Sequence, residues 1–269
     1  MALEPPSPSA FDFLERVALS YASLLESPLA DPETGLGGKL FYAGELDDAG
    51  RALLVAANIA GAATLATTAD RTAQKQVLRD GVADFVVNNL DEALRILKNQ
   101  LRKRETVAVC VALPPSEVES EMSQRGVSPD LLRSDVSVAR SHLALMQNGE
   151  MPIIQQVATP EPDLVKTSAL VTWRVDLALP KDFARLDEIA LSCVDPQEWK
   201  SRRWLHLSPR YLGRLAQGLR LIHTHREFAA RFFELVRRQI EAKEITFAFQ
   251  IQSAHRDGND EFRFAPTKP

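Results

Sequence analysis

The stretch Gly37-Gly38-Lys39-Leu40-Phe41-Tyr42-Ala43-Gly44-Glu45-Leu46-Asp47-Asp48-Ala49-Gly50 reads as a short strand, a tight turn and the start of a helix. In a doubly wound α/β fold this is where backbone N–H groups and the positive end of a helix dipole receive a pyrophosphate. Glycines there let the chain approach the anion closely. In this chain the turn carries Glu45, Asp47 and Asp48. Their charge opposes a phosphate, yet it suits the first turn of a helix. The frame predicts the fold, while the acids argue against the usual ligand.

Outward from that turn, strand and helix patterns alternate. Leu40 to Ala43 predicts a strand, Asp47 to Ala60 a helix and Ala63 to Thr68 a second strand. Asp70 is placed to cap a helix over residues 71–79, which Gly81 closes. Ala83 to Val87 predicts a third strand, and Leu90 to Arg104 an amphipathic helix with Leu90, Ala93, Leu94 and Leu97 inward. The almost continuous apolar run Thr106 to Ala112 fits a strand covered on both faces. Ser116 to Gln124 adds a helix ended by Gly126. Together these predict an α/β fold with a doubly wound, mainly parallel, Rossmann-like sheet. A Pro/Ser leader and a helix from Ala10 to Glu26 precede it.

Beyond Pro129 the alternation stops. The loop Ala158 to Pro162 is the clearest boundary candidate, and Ser168 to Leu177 alternates as a strand before a helix from Phe183 to Leu191. A long helical segment is expected from Pro209 to Lys243, broken near Gly218 or at His223 to His225, with Ser208 and Pro209 as its start. Phe228, Phe232, Phe233, Leu235, Val236 and Ile240 form its core face. Ile245 to Gln252 reads as a final strand, and the polar tail from Arg256 to Pro269 as frayed. The expected organisation is an N-terminal helix and linker over 1–36, the Rossmann-like domain over 37–140 and a smaller α+β region over 141–269.

With 45% hydrophobic and 25% charged residues and a net charge of −4, the 269-residue chain has the composition of a globular protein. The longest apolar run, Ala52 to Ala66, is interrupted by Asn58, Gly61 and Thr64, so no membrane span is expected. Met1 to Pro6 lacks the basic and apolar regions of a signal peptide, which makes the cytoplasm the expected location. Cys110 and Cys193 are too few for a disulfide framework and read as buried, reduced thiols. His223 and His225, two apart, would point to different faces of a helix. Glu45, Asp47 and Asp48 read as helix-terminal charge rather than a cation site, so no metal is expected.

One strong charge pattern remains. From Glu198 to Lys243 there are eleven Lys and Arg against four Glu, interleaved with Trp199, Trp204 and Tyr211. Such a surface can hold a polyanion through phosphate contacts and stacking. The arginines spread around a helix rather than share one stripe, however. They are expected instead to pair with the acidic N-terminal stretch, where Glu4 to Arg51 has nine acids and three bases, or with a second subunit.

Between Gly37 and Arg133 the sequence resembles the central NAD-binding domain of urocanase, the urocanate hydratase of histidine breakdown. The resemblance is carried by Lys39, Ala43-Gly44, Ala56-Ala57, Ala60-Gly61-Ala62, Leu65-Ala66 and Asp70. It continues through Gly81, Asp84, Leu90-Asp91-Glu92-Ala93-Leu94 and Arg125-Gly126-Val127-Ser128-Pro129-Asp130. It implies a Rossmann-like fold, a dimer and a site for NAD, which the family uses as an electrophile towards urocanate. The family's cofactor residues are largely missing here. Its glycine turn falls on Glu45 to Gly50, where Gly44 and Gly50 alone remain as the flanking glycines. Its glutamate after the second strand falls on Thr68, its arginine on Ala73 and its Asn-Ala pair on Pro114-Pro115. Its Gln-Thr-Ser-Ala-His stretch falls on Asp135 to Ala139, keeping Ser137.

The expected protein is therefore a urocanase-like binding or assembly module with an unknown small-molecule ligand, without urocanase activity and with no cofactor held in the family's manner. Gly44, Gly50, Asp70 and Ser137 would line its crevice. An alternative is a lyase or hydrolase reusing that crevice through Glu45, Asp47, Asp48, Asp70, Ser137 and Arg140. A third is polyanion binding by the basic region. A homodimer is the expected assembly, and neither a membrane nor nucleic acid is the expected partner.

Overall fold

The computed structural model describes residues 8–133, 155–157, 169–175, 180–255 and 258–265. The chain divides into two compact units, Arg16–Pro160 and Met1–Glu15 with Glu161–Pro269.

The first unit begins within α1 (Pro8–Leu25) and continues with β1 (Leu40–Glu45), α2 (Asp48–Ala60), β2 (Ala63–Thr67), α3 (Arg71–Asp80) and β3 (Phe85–Val87). They are followed by α4 (Leu90–Lys103), β4 (Ala108–Val111), α5 (Pro115–Gln124), β5 (Leu131–Arg133) and β6 (Gln155–Val157). The strands form one six-stranded sheet in the order β3-β4-β2-β1-β5-β6, and every pairing is parallel. This is the predicted Rossmann-like sheet with two more strands than the periodicity reveals, since β5 and β6 are three residues each. The fully apolar β4 is buried throughout and lies inside the sheet, whereas β3 takes the edge with Phe85 47% exposed.

Helices α4 and α5 cover one face through Leu90, Ala93, Leu97, Val118 and Met122, which join Tyr42, Leu65, Val109 and Leu132 in one apolar cluster. Two aspartates fix where strands begin. Asp130 donates its N–H to the Leu40 carbonyl (2.9 Å) and its carboxylate accepts the Leu40 N–H (2.8 Å). Asp84 does the same for Ala108 at the head of β4, at 2.8 Å in both directions. Both belong to the residues that carry the family resemblance.

The junction of β1 and α2 is the tightest in the unit. At Gly44 the pairing with β2 slips by one residue, a bulge that places Gly44 at φ 69°. Six residues on, Gly50 lies so close to β1 that a Cβ there would be 2.1 Å from the Glu45 carbonyl oxygen. Helix α2 can therefore lie flush on β1 and β2, burying every residue from Ala52 to Ala60.

The second unit contains β7 (Ala169–Val175), α6 (Pro180–Cys193), α7 (Trp199–Leu212), a 3-10 turn (Gly213–Ala216), β8 (Leu219–Thr224), α8 (Arg226–Glu241), β9 (Phe249–His255) and β10 (Gly258–Phe264). Its antiparallel sheet runs β10-β9-β7-β8. This corrects three sequence expectations. The segment from Pro209 to Lys243 is not one helix: the two breaks at Gly218 and His223 to His225 bound a strand, β8. Pro209 does not start a helix but lies within α7, near its end, and the Gly213 N–H turns back to its carbonyl. Residues 258–264 of the tail are not frayed, since they pair with β9 in a hairpin. Trp173 meets Phe232 edge-on at 5.4 Å, and Trp204 donates its indole N–H to the Leu221 carbonyl (2.6 Å).

Gly50→Ala, which in an exposed helix gains about 1 kcal/mol, is expected here to lose at least about 2 kcal/mol, read as a lower urea midpoint; an unchanged midpoint would refute the close fit. His223, on β8, has neither ring nitrogen hydrogen-bonded to a described residue, and burial pushes its pKa down to about 4. Above pH 6.5 it is neutral in both states; as pH falls below that value only the unfolded chain takes up the proton, so stability is lost. His223→Leu is expected to remove roughly 2 kcal/mol of the wild-type loss between pH 7 and pH 4.5. Identical losses in both proteins by urea denaturation would contradict this.

Candidate functional site

From β1 the chain crosses to β2 on one side, and from β4 it returns to β5 on the other, so the sheet has its topological switch between β1 and β5. Open α/β sheets bind ligands in the crevice at the carboxyl ends of such strands. Here those ends are Glu45 and Arg133, and the turn Leu46-Asp47 leads into α2.

Asp47 is the N-cap of α2, with extended backbone angles, and its Oδ1 accepts the Gly50 N–H at 2.7 Å. The same oxygen accepts Nη1 of Arg133 at 2.8 Å. That guanidinium nitrogen also reaches the Glu45 carbonyl (3.4 Å), and the Arg133 side chain is only 9% exposed. The positive end of α2 thus faces an anion supplied by the chain itself, and a buried cation from β5 partners that anion across the switch point. Asp48 adds a second acid in the first turn.

The structure brings Gly44, Glu45, Asp47 and Gly50 together at the end of β1. Gly44 supplies the bulge and Gly50 the close approach; the Gly50 N–H is already engaged by Asp47. Asp70 stands after β2, where its carboxylate caps α3 by accepting the Thr72 N–H (2.7 Å). Thr68, at the place of the family's glutamate, is buried; its hydroxyl accepts the Asp70 N–H (3.3 Å) and its carbonyl accepts Gln74 Nε2 (2.9 Å). Ala73 lies within α3, and Pro114 and Pro115 form the N-cap and first position of α5. Ser137 and Arg140 lie outside the described residues.

Two participants escaped the sequence reading. Arg133 follows Leu131-Leu132, and a cation closing a short apolar run was its one signal. Glu119 is buried on α5 and accepts the Tyr42 hydroxyl at 3.3 Å; burial and then the Glu119 charge push the Tyr42 phenol far above its ordinary range. Burial likewise pushes the Cys110 thiol up to about 12 and that of Cys193 up to about 11, so neither is a nucleophile at neutral pH.

The basic residues of the second unit are used differently from expectation. Arg220 pairs with Asp187 (3.3 Å) and Arg238 with Glu234 (2.9 Å), while Arg202 donates to the Leu191 and Val194 carbonyls. These three find partners inside their own unit rather than in the acidic N-terminal stretch. Among the described residues no three His, Cys, Asp or Glu side chains gather as metal ligands, and no helix is long and apolar enough to cross a membrane.

The family model described as the urocanase Rossmann-like domain matches residues 20–175, wider than the Gly37 to Arg133 stretch that carries the resemblance. With that match spanning more than half of the 269 residues, and with the parallel sheet and its switch point in place, the chain belongs to the urocanase Rossmann-like domain family.

Proposed function

We propose that this chain is a urocanase-like binding or assembly module that does not hold NAD in the family's manner and does not hydrate urocanate. The observation that carries this reading is the carboxylate of Asp47 at the N-terminus of α2, bonded to the Gly50 N–H and paired with Arg133. A pyrophosphate received there would have to displace that carboxylate and then lie beside it, with Glu45 and Asp48 close in sequence. The residues present do not fit the cofactor. The proline pair at Pro114-Pro115 supports the same reading, because proline offers no backbone N–H to a ligand.

On this reading the occupant of the crevice is a different small molecule, and the assembly is a cytoplasmic homodimer, as the resemblance implies. Local pairing of Arg202, Arg220 and Arg238 favours such partners over nucleic acid.

In calorimetric titration the wild-type chain is expected to show no saturable NAD binding up to about 1 mM and no urocanate turnover. Asp47→Ser keeps a good helix cap while removing the charge, and is expected to raise affinity for NAD or inorganic phosphate by about ten-fold or more. Micromolar NAD binding by the wild type, or measurable urocanate consumption, would overturn the proposal.

A further inference from the structure

In the second unit a pocket of about 490 Å³ lies beside α6, the end of α7 and the start of β8. Phe183, Ala184, Asp187, Pro209 and Arg220 are among the residues that line it. Its size falls within the roughly 300–1,000 Å³ of small-molecule sites.

Arg220 is placed there by the sheet register, which sets it directly opposite Trp173. Asp187, on α6, serves both residues with separate oxygens: Oδ1 accepts the Trp173 indole N–H (2.8 Å) and Oδ2 accepts Arg220 Nε (3.3 Å). The guanidinium carbon lies 4.7 Å from the centre of the Phe183 ring. The cation is thus held by its inner nitrogen and by one aromatic ring. Its two outer nitrogens make no hydrogen bond to any described residue.

That arrangement selects a ligand. Two parallel N–H donors on a fixed planar group match one carboxylate, received side by side. Asp187 already balances one positive charge, and Arg220 is the one cation among the described lining residues, so a dianion would be under-neutralised and repelled by Asp187. Phe183, Ala184 and Pro209 offer apolar surface to the rest of the molecule.

We propose that this pocket binds a small monocarboxylate with an apolar or aromatic body, its carboxylate on the outer nitrogens of Arg220 and its body against Ala184 and Pro209. No residue of the Rossmann-like unit enters this inference, so it stands or falls independently of the reading for NAD.

The test is titration of the full chain with phenylacetate and hexanoate, followed by calorimetry or ligand-observed NMR. Saturable binding at about 1 mM or tighter is expected for at least one of them, with the corresponding amide at least about ten-fold weaker and inorganic phosphate not competing. Arg220→Lys keeps a charge for Asp187 but loses the paired donors, and is expected to weaken binding about ten-fold or more. Ala184 is exposed on α6, so Ala184→Trp is expected to fill the pocket and abolish binding with the thermal midpoint unchanged; it decides the matter even if the Arg220 variant does not fold. Absence of saturation with both acids, equal affinity for the amide, competition by phosphate, or unaltered binding in Ala184→Trp would each overturn the proposal.

Discussion

The Rossmann-like unit depends on how closely the first turn of α2 approaches the end of β1. At Gly50 a single carbon more would collide with the Glu45 carbonyl. Because it is absent, the helix lies flush across β1 and β2, and its alanine-rich surface from Ala52 to Ala60 is removed from water over its whole width. Small side chains at this contact let two regular elements meet with little void, and such packing supplies most of a helix's stability in a folded domain. The same approach aims the α2 dipole at the switch point. The charge placed there is then decided by the turn residues, and in this chain it is Asp47, answered by Arg133.

The residues at the heads of the strands and those at their carboxyl ends do separate work. Asp84 and Asp130 each bind both backbone groups of a strand's first residue, fixing the heads of β4 and β1. The Ala60-Gly61-Ala62 stretch turns α2 into β2 through a left-handed glycine. All of these act on the backbone and are indifferent to what lies at the opposite end of the sheet. The residues Glu45 to Asp48, Thr68, Pro114 and Pro115 lie at the carboxyl ends of the strands. There they are spent on caps, turns and pairs within the chain.

The second unit solves a different problem, which is how a sheet buries polar atoms beneath helices. Trp173 and Arg220 meet across β7 and β8, and Asp187 from α6 satisfies both. Burial pushes the Asp187 carboxyl up while Arg220 pulls it down. Removing either cationic or anionic partner of such a pair leaves a charge stranded, which costs far more than the pair contributes. The basic residues that look like a free surface in the sequence are in part structural for this reason.

The sequence by itself determined the alternation of β1 through α5, the caps at Asp70 and Gly81, and the negative character of the turn after Gly44. Each is local: a period of two or 3.6, or a side chain reaching its own helix terminus, needs no distant partner. Only the tertiary structure decided that β4 lies between β2 and β3, that Arg133 closes on Asp47 from 86 positions away, and that Glu119 meets Tyr42. It also decided that residues 219–224 are a strand, since Leu219, Leu221 and Ile222 satisfy a helical spacing almost as well as an extended one until β7 pairs with them. Strand order and ion pairing are set by which distant groups can be buried together, and chain-local spacing carries no record of that choice.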